Sequence, residues 1–557
     1  MNTPRPYEET DVIIVGGGPV GLTLAHVLGA RGIRCVLLEP RQTPDINSPR
    51  CKQLNPRSME IFRTLGIAED IRRHSGLPFG WSDRAVFATS LTGHLIERLD
   101  QVFALSDVPN SDLVEPAQWC GQDRVEEAFR ASLQRRDSVT ALWGWTLRDI
   151  EQDAHGVTVT ATASDGSEKR IRGRYLAGAD GSRSTVRRRL GIEMTGSGHK
   201  AQFVQAIFRA PGLSAAHSLG RAVQYWIVNE RVSGMMGTLD TEDTWWAGFP
   251  GAPGDGSPER FRDAVATLIG TDYPVTILAT DTWSPRMLVA DHYRAGRCFL
   301  LGDAAHLNPP WGGFGANLGI GDAADLGWKL AAAVSGWAGP DLLDCYEAER
   351  RPMAHRAIAE AVRNMQVLSG DLVQPGLEDD GPAGDRTRAT AAVKIRRSKT
   401  AEMYTLGFVL GARYCDSPLV RYDDGPAPGS TTSHYQPSTA PGGRLPHLWL
   451  GPGRSLFDEL GQGFTLVELG STAGPEWETA AQERGMPLTR LHLHRPDLAE
   501  IMGADFLLVR PDHHVAWRGS GHDLDVAELL DEVRGCARSS TSAGMPVTSV
   551  SPQAAPA

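Results

Sequence analysis

The stretch from Asp11 to Glu39 constrains the fold more than any other. Asp11-Val12-Ile13-Ile14-Val15 is a short, β-branched apolar run, the pattern of a strand buried on both faces. Gly16, Gly18 and Gly21 follow in GxGxxG spacing, with Pro19 and Val20 between the last two. A helical run, Leu22 to Arg31, is stopped by Gly32, and Arg34 to Leu38 reads as a second strand ending at Glu39. Strand, glycine loop, helix, strand and acid in this order predict a Rossmann-type βαβ unit that grips a dinucleotide. Gly16 permits the tight turn, Gly18 lets backbone approach a pyrophosphate, and Gly21 lets helix and strand pack closely. The helix N-terminus offers phosphate its unpaired N–H groups and a partial positive charge. Glu39, about 20 residues on, can accept hydrogen bonds from a ribose diol. The cassette alone does not separate FAD from NAD.

Two later segments sharpen the choice. Arg174 to Arg187 carries an apolar strand into Asp180-Gly181, followed by a helix with Ser184 and Arg187. Arg297 to Leu301 reads as another buried strand, with Gly302-Asp303 at its exit. Next comes a loop rich in glycine and proline, then a helix whose Ala323, Leu326, Leu330, Ala333, Val334 and Trp337 form one apolar face. Gly313, Gly315, Ala316, Asn317 and Gly319 place bare backbone at that helix start, where N–H groups suit the anionic N1–C2=O edge of a reduced flavin. Asp303 is placed to hold a ribityl chain. The loop has no Ser or Cys nucleophile, as a site would if its cofactor carried the hard chemistry.

Gly16/Gly18/Gly21 with Glu39, Asp180-Gly181 and Gly302-Asp303, in this order, resemble the group A flavoprotein monooxygenases, the aromatic hydroxylases of the para-hydroxybenzoate hydroxylase type. The resemblance spans roughly Asp11 to Arg356, and Tyr346-Glu347-Ala348-Glu349-Arg350-Arg351-Pro352 closes the FAD domain. It implies an FAD enzyme reduced by NADPH or NADH. Oxygen then adds at flavin C4a, and the hydroperoxide hydroxylates an electron-rich ring, usually a phenolate. Pro49-Arg50 looks like the family segment whose arginine approaches the flavin. Gln122 is similar to a glutamine at the ribityl chain, and Pro310 to a proline whose carbonyl lies near flavin N5. Arg50 and Pro310 are therefore the flavin-adjacent catalytic candidates; no general base is identifiable. No second strand–GxGxxG–helix cassette is visible, so transient nicotinamide binding in a shared cleft fits better than a dedicated domain.

The α/β rhythm breaks over residues 190–289. Gln224 to Val228, Thr244 to Phe249 and Thr276 to Ala279 read as strands of an antiparallel substrate-binding sheet, with Tyr225, Trp226, Trp245 and Trp246 as pocket or sheet-face residues. Of these, Tyr225, Trp226 and Trp246 are the substrate candidates. Gly370 to Asp385 reads as a linker or lid-like loop. Gly411 to Val420 resembles the phenol and dichlorophenol hydroxylase branch, whose C-terminal domain is thioredoxin-like; Phe464 to Leu469 and Phe506 to Val509 supply strands for it. With no CxxC, that domain is structural or oligomer-forming. The expected division is residues 1–75, 110–189 and 290–365 for FAD, 76–109 and 190–289 for the substrate sheet, 366–430 as a connection, 431–538 for the thioredoxin-like domain, and 539–557 as a disordered Ser/Pro/Ala-rich tail. The fold class is thus multidomain α/β and α+β.

Other totals exclude whole classes. Net charge is -11, which argues against a nucleic-acid partner. There is no apolar run of about 18 residues for a membrane span. Seven scattered cysteines without CxxC speak against a disulfide framework and, with no metal-spaced cluster, against a zinc site. The beginning shows no signal-peptide core, so we expect a cytoplasmic homo-oligomer acting on a small aromatic substrate. The arginine-biased basic residues fit a GC-rich bacterial genome, and with it natural-product tailoring as readily as catabolism. Trp143-Gly144-Trp145-Thr146-Leu147-Arg148 lacks the Ile-Pro end of the halogenase signature. A Baeyer–Villiger or epoxidising enzyme uses the same flavin seat, and a non-catalytic flavin-binding scaffold is the alternative of another class.

Overall fold

The computed structural model describes residues 7–45, 52–198, 201–251, 257–425, 428–493, 495, 498–499, 502–520 and 524–536. Pro49, Arg50 and the tail from Ser539 lie outside them.

Val12–Val15 is the inner strand of a six-stranded sheet ordered Arg294–Ala295, Cys298–Leu300, Tyr175–Gly178, Val12–Val15, Cys35–Glu39, Val139–Trp143. All but the first strand run parallel. The strand residues Val12–Val15 and Cys35–Glu39 are buried throughout, so they read as unbroken apolar runs. Helices Pro19–Ala30 and Phe314–Ser335 pack against each other through glycines. A Cβ on Gly319 would lie 2.5 Å from Val20 Cγ2, and one on Gly327 2.3 Å from Val27 Cγ1. This close approach puts two loops, 16–18 and 302–313, at the same edge of the sheet.

A seven-stranded sheet lies beyond, ordered Thr276–Trp283, Gln202–Arg209, Thr244–Gly251, Gly234–Thr238, Gln224–Ile227, Ala85–Ala88, Leu95–Leu99. Only its Gln224–Ile227/Ala85–Ala88 pair is parallel. Side-chain alternation divides its aromatics. Tyr225 and Trp245 pack with Phe261 and Leu268 of helix Pro258–Ile269. Trp226 and Trp246 face the opposite way, with Phe203, Trp119 and Trp311.

The expected loop over Gly370 to Asp385 is corrected in its last part. Helix Gly381–Met403 begins there with Pro382 in its first turn. Proline at that position lacks only an N–H the helix would not use, so a Gly/Pro-rich run can start a helix as well as break one. In the C-terminal unit, the sheet order is Leu488–His492, Phe464–Glu468, Phe506–Val509, Val515–Gly519. The first pair is parallel and the others antiparallel, with helices Glu476–Glu483 and Val526–Val533 in the chain order of a thioredoxin-like fold.

One buried group of the first helix sets a pH limit. His26 is fully buried, its Nε2 3.1 Å from the Phe129 carbonyl. Burial pushes its imidazole down to about 4 from 6.5, more than that bond raises it. The unfolded chain therefore binds this proton first as pH falls. Stability from this site is complete above pH 6.5 and is lost toward pH 4, a change of about 3 kcal/mol. Urea unfolding of His26→Gln should show a correspondingly flatter acid limb; an unchanged slope would assign the acid sensitivity elsewhere.

Candidate cofactor cleft and active site

The glycine loop is built as its spacing demands. Gly16 has φ 109°, and a Cβ there would sit 2.3 Å from the Ala179 carbonyl. A Cβ on Gly21 would lie 1.9 Å from Gly16 O, so helix and strand touch through backbone. Gly18 differs: nothing stands within 4 Å of its Cβ position. Open space over one glycine of a tightly packed loop, at a helix N-terminus, admits a pyrophosphate. Pro19 starts the helix, and Val20 wedges between Gly302 and Gly319.

Glu39 ends its strand buried, accepting from Gly17 N (2.6 Å), Arg41 N (3.0 Å) and Arg41 Nε (2.7 Å). Burial raises its carboxyl, but the bonds from Arg41 outweigh it and hold the group below its ordinary range. Arg41 also reaches Glu126 (3.2 Å), which accepts from Gln122 Nε2 at 2.8 Å. Glu39 and Gln122 thus belong to one polar set. Asp180 turns back on its own loop, accepting from Ser184 Oγ (2.5 Å), Thr185 N (2.6 Å) and Val186 N (3.1 Å). It stiffens the turn that Gly16 packs against.

The second loop is pinned by a buried set that the sequence did not disclose. Asp322 accepts from Gly302 N (3.1 Å), His306 Nε2 (2.7 Å) and Arg350 Nε (2.7 Å). Asp322 and His306 have no solvent exposure. Burial raises the Asp322 carboxyl, yet Arg350 and His306 hold it below the usual range. Both ends of Gly302–His306 are thereby fixed to the helix that follows, and Asp303 is left exposed between them. Pro310 is exposed, and its carbonyl accepts from Gly313 N at 3.0 Å. Gly313 has φ 67°, and a Cβ would meet Gln53 Oε1 at 2.4 Å. Asn317 spends its side chain on Asn55 N (2.9 Å), Ser58 Oγ (2.7 Å), Gln53 O (3.0 Å) and Gly313 O (2.7 Å). Among the described residues, the first-turn N–H groups of Gly315 and Ala316 have no backbone partner.

Trp311 carries this loop into the aromatic cluster of the sheet, packing edge-on against Phe203 with ring centres 5.3 Å apart. Lys52 Nζ lies 4.2 Å over the Trp246 ring, and Lys399 Nζ 4.2 Å over Trp226. Among the described residues, the indole N–H groups of Trp119, Trp246, Trp283 and Trp311 are buried without a hydrogen-bond partner. Trp226 and Trp246 therefore join the loop, whereas Tyr225 does not. Its hydroxyl donates to Gly220 O at 2.6 Å on the far side of the sheet. Trp311, Trp119 and Lys399 were missed. Only Trp311 carried a signal, an indole inside a glycine-rich loop. An open glycine seat at Gly18, a buried carboxylate at the second strand end and free helix N–H groups fit an FAD.

Residues 9–361 match the family model described as an FAD binding domain, and residues 438–537 that of the aromatic-ring hydroxylase C-terminal domain. The chain is 33% identical to tetracenomycin B2 monooxygenase-dioxygenase of Streptomyces olivaceus, over 94% of this chain and 98% of that one. It is 35% identical to the rebeccamycin biosynthetic enzyme RebC with reduced flavin, TM-score 0.88, covering 96% of this chain and 100% of the other. A ternary complex of aklavinone-11 hydroxylase with FAD and aklavinone is 29% identical, TM-score 0.79, covering 96% and 99%. Among the described residues, no helix is long and apolar enough to cross a membrane. By these matches along nearly its whole length, the chain belongs to the group A flavoprotein monooxygenases, FAD-dependent enzymes of the aromatic hydroxylase type.

Proposed function

We propose that this protein hydroxylates a polycyclic phenol or hydroxylated heteroaromatic ring in the tailoring of an aromatic natural product. The aromatic wall of Trp119, Trp226, Trp246 and Trp311, joined to the cofactor loop through Trp311, carries this reading. A cluster of indoles beside that loop suits a flat, extended ring system. The names of the relatives, tetracenomycin and aklavinone enzymes among them, point to the same class.

Bound FAD supplies electron transfer from NADH or NADPH and transfer of one oxygen atom from O2. The chain does the rest. Gly18 and the N-terminus of helix Pro19–Ala30 receive the pyrophosphate, and Glu39 the ribose. Gly315 and Ala316 would offer N–H groups to the ring edge, and Asp303 would hold the ribityl chain. Asp322, His306 and Arg350 keep the loop from yielding when substrate presses on Trp311. The buried indoles exclude water from the reacting face.

The test is incubation of purified holoenzyme with NADH or NADPH, a panel of polycyclic phenols and 18O2. Substrate-stimulated oxidation with one 18O in a ring-intact product is expected. A ring-opened or lactone product would favour the Baeyer–Villiger chemistry, and inertness across the panel the scaffold reading. Trp311→Leu should raise KM for the preferred phenol roughly two- to tenfold, the worth of one aromatic contact. An unchanged KM would remove Trp311 from the substrate wall.

A further inference from the structure

A cavity of about 100 Å³ lies between helix Phe314–Ser335, helix Cys345–Met365 and the C-terminal unit. Its lining differs from the aromatic wall. Arg57, Arg350, Arg356 and Arg444 converge on it, together with Asn55 and His514. Three of the four guanidinium groups have a buried carboxylate behind them. Glu60 accepts from both Arg57 and Arg444, and Asp322 from Arg350. Asp512, the one carboxylate on the lining, is already held by Arg510 (2.8 Å) and lies 3.4 Å from His514 Nδ1. Arg356 has no hydrogen bond or ion pair among the described residues. It stands exposed at the mouth, 4.6 Å over the Phe408 ring.

A second donor is unspent. Asn55 is buried to nine-tenths, and its side-chain oxygen caps helix Pro56–Thr64 through Ser58 N at 2.9 Å. Its amide NH2 has no partner among the described residues. An unpaired donor and an excess of guanidinium over carboxylate share one small space whose lining is otherwise mostly apolar. That space holds roughly three water volumes. Arginine suits such a site because its charge is weakly hydrated and its fork of donors is rigid.

We infer that this cavity binds a small inorganic anion, of halide size, between the FAD-binding helices and the C-terminal unit. Arg57, Arg350 and Arg356 come from the first region and Arg444 from the second, so the anion would hold the two together. It therefore stabilises the folded holoenzyme by mass action.

The experiment follows thermal unfolding of the holoenzyme in sodium chloride and in sodium gluconate at equal ionic strength, with bromide-soaked crystals for anomalous scattering. We expect a saturable rise in midpoint of at least ~1 °C in chloride over gluconate. The rise should vanish in Arg356→Gln and persist in Arg397→Gln, which removes an exposed surface charge. Bromide should scatter inside the cavity. Equal midpoints in the two salts, a rise retained by Arg356→Gln, or no bromide in the cavity would overturn the inference. Bromide in the crystal without a saturable shift in solution would mark an adventitious ion only, and overturn it equally. None of these readouts depends on turnover, so they stand apart from the test of the hydroxylase reading.

Discussion

Replacing Arg510 with alanine is expected to destabilise the protein by about 3–5 kcal/mol, the usual cost of removing one partner from a buried ion cluster. Arg510 follows strand Phe506–Val509 and has no solvent exposure. It donates to Glu349, to Asp325 (3.1 Å) and to Asp512 (2.8 Å), and lies over the Trp328 and Tyr414 rings. Lys329 closes the set, 2.7 Å from Asp325 and 2.5 Å from Glu349. Asp325, Lys329 and Glu349 belong to the two helices of the FAD-binding region, so the cluster ties the C-terminal unit to them. Without Arg510, Glu349 and Asp512 would share one fewer cation in a place water does not reach.

The carboxylates should not respond alike. Burial, with Glu349 and Asp512 adding to it, drives the Asp325 carboxyl well above its usual range, whereas Arg510 and Lys329 overcome burial at Glu349 and pull it down. Asp325→Asn should therefore cost less than Glu349→Gln. Urea unfolding of the holoenzymes measures all three. A loss below about 1 kcal/mol in Arg510→Ala would show that the cluster is not what joins the two parts.

None of this was legible in Arg510-Pro511-Asp512-His513-His514. A strand exit with charged residues reads as a solvated turn, and the Glu349 and Asp325 partners come from positions more than 150 residues earlier. The adjacent histidines His513 and His514 go to different partners. His514 packs tilted against Tyr414 with ring centres 4.5 Å apart, and His513 packs against Phe457 at 4.9 Å. The parts of the fold that the sequence did disclose rest on local periods. Val12–Val15 and Cys35–Glu39 are legible because both faces are buried. Period two also separates Tyr225 from Trp226, but not which of the two faces the loop; that depends on helix Pro258–Ile269 covering the other side. His306 and Asp322 were hidden for a related reason. Sixteen residues part them, and only the chain reversal through Pro309-Pro310 and Gly313 brings them to 2.7 Å.

The glycine loop allows a sharper division between fold and cofactor. Gly18→Ala and Gly21→Ala add the same methyl group three residues apart, yet opposite results are expected. At Gly21 the new Cβ meets Gly16 O at 1.9 Å. Backbone cannot swing aside as a side chain can, so the first helix must leave its strand, at a cost of about 3 kcal/mol or more. That variant should lose stability even as apoprotein. At Gly18 the backbone is extended, φ -78° and ψ -179°, open to any residue, and the methyl group meets nothing. Its effect on apoprotein stability should stay within about 1 kcal/mol, the range of an N-cap exchange. The methyl group does occupy the face where a pyrophosphate lies closest to backbone. FAD affinity should therefore fall at least tenfold, about 1.4 kcal/mol. Flavin titration of the two apoproteins, with unfolding curves of each, separates the effects. Unchanged FAD affinity in Gly18→Ala would mean that the open face over this glycine does not seat the pyrophosphate. Normal apoprotein stability in Gly21→Ala would mean that helix and strand can part without penalty.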